Sequence, residues 1–159
     1  MKRLLFACTA VLPLVAALAA DTAEVDYPKG YRDWRHVKSM VIEQGHALYD
    51  SFGGIHHLYA NAKALRGYAS GKFPDGSVIV FDLLVANSQD RIVAEGGRKL
   101  VGVMVRDRRK YAATGGWGFE GFAGDSTTQR LVGDKAEPAC FACHQARKEN
   151  DYVFSVARP

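Results

Sequence analysis

Cysteine is scarce, with three residues in a chain of 159. Cys8 lies in an apolar leader, so a chain cut after that leader keeps only Cys140 and Cys143, and a disulfide framework is excluded unless those two pair. Long hydrophobic runs are as rare: Leu4 to Ala20 is one, no second follows, and a helical membrane span in the mature protein is not expected. A dominant charge is missing too. Lys and Arg number 21 against 17 Asp and Glu, a formal charge of +4 that falls to +2 when Lys2 and Arg3 leave with the leader. That balance excludes an electrostatic footprint for nucleic acid, and the cluster Arg106-Asp107-Arg108-Arg109-Lys110 reads as a solvated turn. Also absent are the long stretches of 3.6-residue apolar period that a four-helix bundle needs, and any internal repeat.

What is present begins with the leader. Lys2 and Arg3, an apolar core and the small-residue pattern Ala17-Leu18-Ala19 make a secretory signal peptide over residues 1–20, with cleavage expected near Ala19 or Ala20. Export to the periplasm follows as an expectation. Residues 21–159 are then of ordinary size for a single domain with its own core.

Along that domain the extended signals dominate. Val37 to Ile42, Ile55 to Tyr59, Ser77 to Leu84, Lys99 to Val105 and Trp117 to Phe122 are rich in β-branched and aromatic residues, with Trp117 and Phe119 on one face of the last. Tyr31 to Arg35 allows one helical turn. Asn61 caps a short helix over 62–70 that Gly71 closes, and Phe73-Pro74-Asp75-Gly76 is a turn. A hairpin-like turn is expected at Gly96-Gly97, and another at Thr114-Gly115-Gly116. The economical architecture is α+β: a mainly antiparallel sheet with a few helices packed on it.

The chemistry is concentrated in Cys140-Phe141-Ala142-Cys143-His144. A redox dithiol would sit at the start of a helix after an early strand, and structural zinc would need a second ligand pair, for which adjacent His56 and His57 point to opposite faces of a strand. The remaining chemistry is covalent attachment of a c-type haem, one per chain, with thioether bonds from Cys140 and Cys143 and His144 as the axial iron ligand. A helix over 138–149 would set the two thiols three residues apart on one side, with Pro138 in its first turn. Residues 145–159 contain no Met, His or Cys, so the other side of the iron must be covered by residues before the motif.

The histidines and methionines before the motif leave alternatives open. By strand alternation one of His56 and His57 faces inward. His56 could coordinate, donate a hydrogen bond to a ligand, or be an ordinary satisfied histidine. Met40 and Met104 are further candidate ligands in apolar strand surroundings where methionine is usually filler. His36 and His46 read as exposed or loop residues, and Phe81 by itself reads as a core aromatic.

The haem motif preceded in order by Tyr27-Pro28-Lys29-Gly30-Tyr31-Arg32-Asp33-Trp34, by Phe52, Ile55 and Tyr59 at F-x-x-I-x-x-x-Y spacing, by Gly71 to Val78 (GKFPDGSV) and by Gly115 to Phe119 (GGWGF) resembles the cytochrome P-460 and cytochrome c′-beta family over essentially the whole mature chain. The resemblance implies a periplasmic homodimer, each subunit a twisted sheet of about five strands plus helices. In the hydroxylamine-oxidising branch a lysine on the strand after the D-G turn also bonds the porphyrin, and an arginine lies nearby. Those positions fall on Phe81 and His56, so the chain looks like the c′-beta branch, in which aromatic residues cap the iron. The resemblance then implies binding of small diatomic ligands, nitric oxide first, under Phe81 with Phe52 and His56 near, and electron transfer with a redox partner protein. The alternative is oxidation of a small nitrogen compound, hydroxylamine or nitric oxide, with His56 as proton acceptor.

Overall fold

The computed structural model describes residues 24–158; the signal-peptide expectation lies outside them. A 3₁₀ turn over Tyr31–Asp33 leads into β1 (Arg35–Ile42), followed by α1 (Tyr49–Phe52), β2 (Gly54–Ala60), α2 (Ala62–Ser70), β3 (Val78–Gln89), β4 (Ile92–Arg106), β5 (Trp117–Ala123) and α3 (Ala142–His144). The strands form one antiparallel sheet in the order β1-β2-β3-β4-β5, so each lies beside its neighbour in the chain. The expected α+β sheet with a helical C-terminal segment is what the chain forms. No helix among the described residues is long and apolar enough to cross a membrane.

Local chemistry explains most of the boundaries. The Asn61 side chain accepts the Ala64 amide at 2.8 Å, and Gly71 ends α2 in the left-handed region at φ 72°. Pro74 and Gly76 turn the chain into β3, with the Ser77 amide donating to the Pro74 carbonyl at 3.0 Å. The hairpin turn expected at Gly96-Gly97 is not there. The chain reverses at Asp90 and Arg91, both with positive φ (53° and 64°), the backbone twist that suits a two-residue hairpin. Gly96 and Gly97 lie within β4, where a Cβ on Gly96 would come within 2.8 Å of the Asn87 amide. Gly96 lets the extended hairpin arms pack closely instead of turning them.

The sheet buries both faces. On the first, Leu58, Ala60, Ile79, Trp117 and Phe119 pack with Phe73, Phe141 and Val153, under α2 and the segment after β5. On the second, Val80, Val101, Val103 and Phe122 pack with Val25 and Tyr31 of the N-terminal segment. Strand alternation places His56, Phe81 and Met104 on the first face and His57 and Asp82 on the second.

Asp82 is fully buried on the second face. It accepts from the Tyr31 hydroxyl at 2.7 Å and the Arg98 Nε at 2.6 Å, while Arg32 stands 3.6 Å away. Burial, then Asp82, pushes the Tyr31 hydroxyl well above its ordinary range.

Candidate functional site

The segment after β5 is anchored before it reaches the motif. Glu120, buried on the second face, accepts the Gly121 and Val132 amides at 2.8 and 2.9 Å and pairs with Arg130 at 3.1 Å. The helix expected over 138–149 forms in pieces: its winding changes along the segment and it is broken at Arg147. A π turn covers Glu137–Phe141 with Pro138 at its start, α3 carries Cys143 and His144, and a 3₁₀ stretch over Gln145–Asn150 kinks at Arg147 (φ −114°). Wide turns of this kind re-aim side chains at functional positions. Here Cys140 packs half-buried against the core of the first face while Cys143 is exposed.

Cys140 and Cys143 form no disulfide with each other. Burial, with Glu120 and Cys143 adding to it, pushes the Cys140 thiol up to about 11. A redox dithiol needs the opposite shift, toward thiolate at neutral pH. Nor do three or more His, Cys, Asp or Glu side chains converge among the described residues, so the donor set does not make a tetrahedral zinc site.

His144 is held in one tautomer. Its Nδ1–H donates to the Tyr152 carbonyl at 2.7 Å, which leaves the Nε2 lone pair available to a metal. Burial lowers its pKa, keeping the imidazole neutral, the form that ligates. The rings of Phe119 and Phe154 flank it, each 5.0 Å away centre to centre.

On the same face of the sheet the second group assembles. Phe81 lies 5.9 Å from Phe52 and 4.5 Å from His56, both edge-to-face, so the three residues singled out by sequence form one cluster. Across the sheet from Phe81 stands Gly102, and across from that Gly121. β4 thus presents no side chain beside Phe81, where a Cβ on Gly102 would press to 3.3 Å from the ring, while Leu131 covers Gly121, 3.5 Å from where a Cβ would sit. Two thiols, a neutral imidazole with one nitrogen free, and a flattened apolar face fit a haem.

His56 is buried and its Nε2–H donates to the Phe52 carbonyl at 2.5 Å. Nδ1 therefore carries a lone pair, and it has no hydrogen-bond partner among the described residues. Lys99, the extra residue of a bulge between Leu83–Leu100 and Leu84–Arg98, donates to the Gly53 carbonyl at 2.9 Å and steadies the same turn. Sequence reasoning missed Lys99, because nothing in a strand of this composition marks a bulge. It missed Tyr152 as well, which acts through its backbone.

The other candidates separate. Met104 is partly buried filler in the first-face core, and Met40 pairs with His56 across β1 and β2 but is 37% exposed. His46 is exposed in a loop; His36 lies on β1 against Ser39, which also contacts His57 on the second face. Arg106, expected in a solvated turn, is instead buried against Asp151 at 3.1 Å, because a carboxylate 45 residues away draws it inward. Two cavities of about 330 and 510 Å³ are lined by neither the motif residues nor the Phe81 cluster.

Burial lowers the pKa of His56, with the positive charge of Lys99 adding to it and the Phe52 carbonyl opposing. A folded pKa below the ordinary 6.5 means the unfolded chain binds the proton first. The stability linked to His56 is present above about pH 6.5 and is lost as pH falls from there through the folded value. Thermal melts from pH 7.5 to 4.5 should decline, each ~1 kcal/mol costing roughly 3 °C. His144 contributes in the same direction, so His56→Gln should flatten the decline without abolishing it; an unchanged slope would remove His56 from this role.

A family model described as cytochrome P460 matches residues 28–155. No curated protein matches the chain.

Proposed function

The chain belongs to the cytochrome P460 family of haem proteins, and we propose that it is an exported c-type cytochrome that binds small diatomic ligands, nitric oxide first, and transfers electrons. Residues 1–20 are the signal, 21–159 the periplasmic haem domain, working as a homodimer with one haem per chain. Cys140 and Cys143 would hold the haem through thioether bonds, and His144 Nε2 would ligate its iron. The haem supplies an iron that binds diatomic molecules and cycles between two oxidation states.

The observation that carries this reading is the tautomer of His144: the Tyr152 carbonyl takes the Nδ1 proton, and a neutral ligating nitrogen is left beside two thiols. Phe81 has no lone pair to coordinate and no N–H or O–H to stabilise a polarised ligand, so it excludes rather than assists. With Phe52 edge-on against it, it acts as an apolar gate. Phenylalanine at this position cannot form a lysine-type porphyrin bond, which favours the c′-beta branch.

A second reading, oxidation of hydroxylamine or nitric oxide, is favoured by one observation: the buried Nδ1 lone pair of His56, an acceptor placed beside Phe81. In that reading His56 takes a proton from the substrate while an external acceptor takes the electrons.

Absorption spectra of the ferric and ferrous protein, with and without nitric oxide, together with intact mass, test both. Expected are a high-spin ferric spectrum, a nitric oxide complex in the ferrous state and a mass corresponding to two thioether links. A colourless or zinc-bearing protein would end the haem reading, and a third link to a lysine would reverse the choice of branch. Hydroxylamine turnover that disappears in His56→Ala would favour the second reading.

A further inference from the structure

We propose that Asp151 is a positioning residue for the axial histidine: its buried carboxylate, clamped by Arg106, holds the backbone that aims the Tyr152 carbonyl at His144 Nδ1. The inference rests on His144 as the iron ligand.

Asp151 and Tyr152 both have positive φ, 51° and 68°. Asp tolerates that region, but a bulky tyrosine does so rarely, so the surroundings must impose the conformation. They do so through every polar group of Asp151. Oδ1 accepts from Arg106 at 3.1 Å, Oδ2 from the Phe73 amide at 2.8 Å, and the carbonyl from the Trp117 indole at 2.8 Å. Its own amide donates to the Lys148 carbonyl at 3.2 Å. Asp151 and Arg106 are each 5% exposed, and Trp117 is fully buried.

Arg106 is fixed in turn. It donates to the Gly115 carbonyl at 2.6 Å and its guanidinium lies 5.3 Å from the centre of the Trp117 ring. The Tyr152 ring fills the space left by Gly115, where a Cβ would come within 2.6 Å of it, and packs on Phe141 at 5.4 Å. The left-handed pair is thereby locked at both residues, and the Tyr152 carbonyl has one direction in which to point. A carbonyl on Nδ1–H fixes the imidazole ring and makes Nε2 a stronger donor, as outer partners of metal-bound histidines do. Asp151 touches neither the imidazole nor any ligand; it acts through the carbonyl of the next residue.

The test uses the haem-loaded protein. Asp151→Asn keeps the volume and an acceptor for the Phe73 amide but loses the charge that holds Arg106. Expected are a downshift of the ferrous iron–histidine stretching band in resonance Raman and a rise in reduction potential, with the far-ultraviolet circular dichroism of a folded sheet. Arg106→Lys, which retains the charge without the two-pronged geometry, should shift both in the same direction by less. Folded variants with the wild-type band and potential would overturn the proposal. Should Asp151→Asn fail to fold, Arg106→Lys decides on the same two readouts. A wild-type protein that carries no haem, colourless and without a pyridine haemochrome band, would overturn the haem reading itself, and this inference with it, a result distinct from unchanged variants.

Discussion

Replacing Cys140 and Cys143 together by alanine is expected to convert a pigment that stays with the polypeptide through acid–acetone extraction into one that leaves entirely with the solvent. Non-covalent grip would persist from His144 and the flattened sheet face beside Phe81, so the variant should still bind haem under native conditions. What it loses is permanence. The single variants should differ in how they disturb the chain. Cys143 is exposed, so on the proposed attachment its loss should remove one thioether link and little else. Cys140 is packed against the first-face core, so alanine there also costs buried contact. The pyridine haemochrome band reports the number of intact vinyl groups and separates none, one and two links. Pigment retained by the double variant would mean that another side chain bonds the porphyrin.

The second large effect lies away from the site. Asp82→Ala should cost ~3–5 kcal/mol, the usual consequence of deleting one partner of a buried pair. That is a large share of the roughly 5–15 kcal/mol available to a domain. The carboxylate has no water contact to fall back on, and its removal leaves the Tyr31 hydroxyl and the largely buried Arg98 without their main acceptor. Arg98 keeps Asp125, which is exposed and screened. By contrast Arg108 and Asp75 are half-exposed at 3.2 Å, and breaking that pair should be worth no more than ~1 kcal/mol. Urea denaturation with an unchanged slope measures both differences. An Asp82→Ala variant as stable as wild type would show that the second-face network contributes nothing net.

Much of the fold was legible because its strands announce themselves. Apart from Ser77, just ahead of β3, the β-branched runs at 37–42, 55–59, 77–84, 99–105 and 117–122 lie in strands, and Asn61 and Gly71 bound α2 as their chemistry requires. The outer half of the β3–β4 hairpin was not legible. Its turn uses Asp90 and Arg91, which carry no glycine signal, whereas the nearby Gly96-Gly97 pair does. The haem motif is a contiguous pattern and could be read directly. The meeting of Phe52, His56 and Phe81 depends on pairing between separate strands, so it came only through the family register. Asp151 and Tyr152 gave no signal, since a backbone carbonyl looks the same in every residue type. Arg106 sat among solvated charges and was judged by its neighbours in sequence, when its partner in space decided the matter.

Because chain order and sheet order coincide, assembly can proceed as a zipper, each new strand meeting an edge already laid down, with little entropy spent on closing long loops. The thiol-bearing turn follows the fifth strand and docks on a face that the earlier strands complete. On the proposed attachment, the link at Cys140 would lie against the first-face core while the link at Cys143 would stay at the surface, within reach of an attaching enzyme after the segment has docked.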